Sequence, residues 1–169
     1  MTALLVNRPK TGLFFLIAVV SFSVTGTGVQ IVTQSLPPVP IFYVNTIHFM
    51  ETLKKYIFDL YFLPMQHLSA FAIGSGTAVF IHYKPKIYMK NWLAVLGWVV
   101  SFGVKLALLF TVYPWNTGPS FPSPFISALY GSTCRTIWSL THCWDFIAAS
   151  AGYGGMFEEA DLTRMLDVI

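Results

Sequence analysis

The sequence predicts an all-α fold: a polytopic membrane helix bundle with about four transmembrane helices. Three observations carry that expectation. Of the 169 residues, 55% are hydrophobic and only 10% are charged, with a mean hydropathy of +0.64. A soluble domain averages about 25% charged residues, so these charges cannot cover a water-facing surface. The charges are also segregated, with none in 11–47 or 106–134. Finally, apolar runs of roughly 20 residues, the length a helix needs to cross a bilayer core, recur at 12–33, 60–82, 91–113 and 125–149.

The segments between these runs read in order. Arg8 and Lys10 precede the first run, which continues to Val32 without a small-residue cleavage site and therefore reads as a span and not as a signal peptide. Three prolines in 35–40 end it. Segment 41–59 mixes aromatics with Glu51, Lys54, Lys55 and Asp59 and reads as a short interfacial helix. Lys84-Pro85-Lys86 is a tight basic turn. The stretch 114–124 holds four prolines and is expected to be non-helical through its middle. Arg8, Lys10, Lys84, Lys86 and Lys90 fall on one side of a four-span chain, against Lys54 and Lys55 on the other. The positive-inside rule then makes the N-terminal side cytoplasmic. The net charge of +3 reflects this topology and implies no nucleic-acid partner.

The fourth run carries the chemistry. Arg135, Trp138, His142 and Asp145 share a narrow arc of one helix face. Ionisable groups at hydrocarbon depth are costly and usually functional. Asp145 lies one turn from His142, close enough to orient the imidazole; these two are the candidate acid–base pair. Arg135 is about 15 Å of helix rise from Asp145, so it needs a different partner and is read, with Trp138, as a substrate-binding residue. Lys105, in the third run, is expected to snorkel to the outer end. Cys134 and Cys143 lie on opposite sides of one helix and cannot bridge. No metal-binding cysteine or histidine pattern occurs.

The second run offers Tyr61-x-x-Pro64-x-x-His67-x-x-Ala70-Phe71-x-x-Gly74. Ala70, Gly74 and Ala78 recur every four residues and predict close packing against another helix. Gly74-Ser75-Gly76 lacks the Lys-Ser/Thr of a phosphate loop. Gly152, Gly154 and Gly155 read as a helix stop.

Arg135-x-x-Trp138, Trp144 and Gly152-Tyr153-Gly154-Gly155 resemble, in order and spacing, the late membrane region of nose-resistant-to-fluoxetine-type proteins of the acyltransferase 3 family. Tyr61, Pro64 and Gly74 match that family's second pattern, and Arg8-Pro9-Lys10 fits before the first span. His67 departs from an arginine, Ala70 from a proline and Ala149 from a cysteine. The resemblance implies that 1–155 is part of an acyltransferase-3-like transmembrane domain, resembling four spans from its second half, with a polar tail at 156–169. It implies transfer of an acyl group from an acyl-CoA-like donor to a hydroxyl on a lipid, sterol or glycan. The family's catalytic-histidine region has no counterpart here, so the chain is expected to be a fragment, inactive without further spans or a membrane partner. The rival expectation is a non-catalytic four-span protein in lipid or small-molecule transport or in assembly with another membrane protein.

Overall fold

The computed structural model describes residues 2–39, 46–84, 87–117 and 122–154. It is all-α, with no strand among the described residues. Helix α1 spans Thr2–Asn7, α2 Pro9–Gln34, α3 Thr46–Tyr56, α4 Met65–Tyr83, α5 Asn91–Thr111, α6 Tyr113–Thr117 and α7 Pro124–Ser150; a π-helical segment, Ile57–Tyr61, continues α3. Gly155 and the tail 156–169 lie outside the described residues.

Local chemistry sets the helix ends. Pro9 opens α2 at a position where its missing N–H costs no hydrogen bond. Ser35 ends it in the left-handed region (φ 51), letting Leu36 N–H reach the Ile31 carbonyl at 3.0 Å. Lys55 Nζ donates to the Gln34 carbonyl at 3.0 Å, placing a cation at the negative end of α2. That contact accounts for one of the two lysines on the side opposite the basic loops. Ser123 caps α7, its hydroxyl accepting from Ile126 N–H at 3.4 Å. Gly152, at φ +79, terminates α7. Pro114 falls in the first turn of α6, which takes in the start of the proline-rich stretch; residues 118–121 in its middle lie outside the described ones.

Helix α7 is the hub, packing against α2, α4 and α5, and α2 also packs against α4. Cross-contacts give the directions. Ser23 beside Met65 and Leu16 beside Gly76 run α2 antiparallel to α4. Ser69 with Thr136 and Thr77 with Cys143 run α4 parallel to α7. Trp98 with Tyr153 and Tyr130 with Leu108 run α5 antiparallel to α7. The chain therefore passes up, down, up and down, with Arg8, Lys10, Lys84 and Lys90 at one end.

Small hydroxyl and amide residues share the interior with apolar ones, while many large apolar side chains face outward. Ser23, Thr27, Gln66, Ser69, Ser101 and Ser127 are buried, whereas Phe14, Phe22, Phe71, Val99, Phe110 and Phe146 are exposed. Hydroxyls link the helices. Ser23 Oγ donates to the Met65 carbonyl at 2.5 Å and accepts from Ser69 N–H at 3.3 Å, and Thr136 Oγ1 donates to Ser69 Oγ at 3.1 Å. A buried apolar cluster of Ile31, Leu36, Tyr56 and Leu60 joins the end of α2 to the junction of α3 and the π segment.

Two stretches, Pro9–Gln34 and Asn91–Asn116, are long and apolar enough to cross a membrane by length and composition. Within the predicted second span, 60–82, the α-helix begins at Met65, because the π segment and the break at Pro64 separate Tyr61 from α4. The Ala70, Gly74, Ala78 stripe does not mediate packing among the described residues. A Cβ on Gly74 would meet nothing within 4 Å, and the buried face of α4 is Gln66, Ser69, Ala72 and Ile73. Hydroxyl hydrogen bonds to α2 and α7 decide which face turns inward.

Candidate functional site

Arg135 lies 11 residues into the 27-residue α7, about 16 Å of rise from its start. Its guanidinium carbon sits 5.2 Å from the centroid of the Tyr61 ring, a cation–π contact. The same guanidinium faces the Tyr56 hydroxyl as both charge and hydrogen-bond donor. Burial pushes the Tyr56 phenol above its usual range, and the nearby Arg135 offsets part of that rise. The partner that the sequence left open for Arg135 is thus aromatic, from α3 and the π segment. Arg135 Nη1 remains buried without a hydrogen-bond partner among the described residues.

Tyr61 is held in turn by His67. The His67 ring stands edge-on to Tyr61 at 5.5 Å, and its Nε2 meets the Tyr61 carbonyl at 3.0 Å. The break at Pro64 leaves that carbonyl without a helical successor, and the imidazole caps it. Tyr61, Pro64 and His67 therefore form a turn that presents the Tyr61 face to Arg135. Gly74 of the same motif is four residues from Ala70, against a separate cavity.

Because α4 and α5 both lean on α7 but do not pack on each other, a groove opens between them. It encloses about 880 Å³ and is lined by Gln66, His67, Leu109, Phe110, Arg135 and Trp138 among others. A second cavity, about 600 Å³, lies along the α4–α7 seam against Gly74, Ala78, His142 and Phe146. Ala70, Trp138 and Ser139 border both. The predicted polar face of α7 is thus divided at Trp138: Arg135 belongs to the first cavity and His142 to the second. The Trp138 and His142 rings are 5.6 Å apart.

Asp145 leaves that face for α5. Its Oδ2 pairs with Lys105 Nζ, and its Oδ1 accepts from Ser101 Oγ at 2.8 Å. Lys105 therefore does not snorkel outward as its position suggested. Its side chain is only 12% exposed and points inward, toward the half-buried Asp145 carboxylate on the facing helix. His142 Nδ1 stands 3.7 Å from Asp145 Oδ2, beyond hydrogen-bond distance, and is buried without a hydrogen-bond partner among the described residues. The carboxylate that was to orient the imidazole is occupied by Lys105 and Ser101. No group of three histidine, cysteine or acidic side chains gathers for a metal ion among the described residues.

The glycine-rich end of α7 also has a defined place. Tyr153, between Gly152 and Gly154, donates its hydroxyl to the Met89 carbonyl at 2.7 Å and accepts from Met89 N–H at 3.0 Å. Its own carbonyl accepts from Trp98 Nε1 at 2.9 Å. The motif fastens the end of α7 to the start of α5. Gln66, Lys105, Tyr56 and Tyr153 were not foreseen as contributors. Gln66 gave no periodic signal, and the other three act through residues distant in sequence.

No family model, curated protein or solved structure matches this chain.

Proposed function

We propose that this chain is an integral, multi-pass membrane protein in which α2, α4, α5 and α7 cross the bilayer, and that its groove is the acyl-binding wall of a membrane acyltransferase of the acyltransferase 3 type. The many large apolar side chains on the outside and the hydroxyls at the helix contacts support the first part. Helices that associate in lipid use small and hydroxyl residues at their contacts and expose large apolar ones. The alternating helix directions and the basic residues at one end support four passes with the N-terminus cytoplasmic.

One observation carries the catalytic class: a guanidinium near mid-helix, held by Tyr61 and Tyr56, beside an apolar groove open between two helices. In acyl transfer such a cation stabilises the oxyanion that develops on the acyl carbonyl. The apolar walls accept the chain of an acyl-CoA-like donor, and the acceptor is a hydroxyl on a lipid, sterol or glycan. His142 is a poor base, since Asp145 is engaged elsewhere; the base comes from a membrane partner. The test uses a photoreactive long-chain acyl-CoA with the purified chain in detergent. Label should concentrate on α5 and α7 peptides and fall at least fivefold in Arg135→Ala. Label spread evenly along the chain, or unchanged in that variant, refutes the reading.

The engaged Asp145 also favours a second reading, in which the protein carries a lipid or small molecule without chemistry. Donor binding with no thioester loss in the presence of a hydroxyl acceptor, once any partner has been supplied, selects it.

A further inference from the structure

Two buried donors, each on a residue that lines the α4–α5 groove, have no hydrogen-bond partner among the described residues. Gln66 is 96% buried by the complement of its 4% exposure, and its Nε2 lacks a hydrogen-bond partner among the described residues. Arg135 Nη1 is in the same condition, and both residues line the same cavity. A buried donor left unmade costs about 1–3 kcal/mol, more for a charged group. Two such donors on one cavity, from two different helices, describe a site for an acceptor that the protein itself does not supply. The acceptor is anionic, because one donor is a permanent cation that makes no ion pair among the described residues.

The rest of the cavity defines the remainder of the ligand. Leu106, Leu109, Phe110 and Trp138 make its walls apolar, and its 880 Å³ suits a single molecule of drug size, for which pockets run about 300–1,000 Å³. We propose that the groove binds a single-chain fatty-acid anion, its carboxylate on Gln66 Nε2 and Arg135 Nη1 and its alkyl chain between α4 and α5. A planar carboxylate has two acceptor oxygens for two donors on separate helices. The ligand reaches the site sideways, through the gap that α4 and α5 leave. This inference shares the groove with the acyltransferase reading but does not depend on acyl transfer.

The experiment measures binding of radiolabelled palmitate to the full chain in phosphatidylcholine nanodiscs. Saturable binding is expected, displaced by unlabelled palmitate but not by hexadecanol or hexadecyltrimethylammonium. Arg135→Ala should weaken binding at least tenfold and Gln66→Leu at least threefold, while Lys54→Ala at the exposed end of α3 leaves it unchanged. Arg135→Lys, which retains charge and bulk, should fold and still bind at least threefold more weakly, since an ammonium cannot rest over Tyr61 and also present the planar second donor that Nη1 supplies. Hexadecanol competing as well as palmitate overturns the proposal. So does unaltered binding in both Gln66→Leu and Arg135→Lys, or hexadecyl phosphate binding more than tenfold tighter than palmitate. Palmitate binding without acyl-CoA labelling sustains this proposal and removes the acyl-transfer reading; the opposite pattern does the reverse.

Discussion

Replacing Lys105 by methionine should destabilise the bundle more than any surface charge change. The substitution keeps most of the side-chain volume and removes only the ammonium, leaving Asp145 with the Ser101 hydroxyl as its remaining partner. Removing one member of a buried pair costs about 3–5 kcal/mol. Asp145 is 24% exposed and Lys105 12%, so partial solvation trims the cost to about 2–3 kcal/mol. For a chain of this size that corresponds to a fall of about 4–12 °C in Tm. Asp145→Asn alone should produce a similar fall. The double variant Lys105→Met with Asp145→Asn should recover most of the loss, because neither uncompensated charge remains. Thermal unfolding in detergent, followed by tryptophan fluorescence, gives all four values of the cycle. Single-variant shifts below 1 °C, or simple additivity in the double variant, would show that the pair does not clasp α5 to α7.

Three further outcomes follow from the same contacts. Gly97→Ala places a Cβ inside the Trp144 indole and should cost about 1–3 kcal/mol by overpacking, read as a lowered Tm that Trp144→Phe partly restores. Gly152→Ala forces a side chain into φ +79 and should cost roughly 1–2 kcal/mol, without changing palmitate binding. In a background with Cys134 and Cys143 replaced by alanine, cysteines at Lys84 and Lys55 should react with an impermeant maleimide from opposite sides of an oriented membrane; same-side labelling excludes the four-pass order.

The helical class was legible from composition, since a chain this apolar has few ways to satisfy its backbone in lipid other than helices. The ends of α2 and α7 were legible too, because Ser35-Leu36-Pro37 and Gly152 act within a turn of themselves. Arg135 and Trp138 were legible as a site because a charge in an apolar run stands out. The partners were not. Lys105 and Asp145 are 40 residues apart, and helical periodicity says which face a residue occupies but not which neighbour faces it. The small-residue stripe of α4 misled for the same reason: spacing identified a face able to pack closely, while Ser23, Ser69 and Thr136 drew a different face inward.

The sequence by itself determined the apolar helices, their terminations and the presence of a costly charge in the middle of α7. Those are local properties, set by side-chain hydropathy and by backbone chemistry within a few residues. Tertiary structure alone decided how that charge is held and what it faces. It turned Asp145 toward Lys105 and away from His142, and placed Tyr61 under Arg135. By leaving α4 and α5 apart on α7, it opened the groove that Gln66 and Arg135 line. Contacts between residues far apart in the chain depend on which helices neighbour one another, and no local pattern in this sequence encodes that choice.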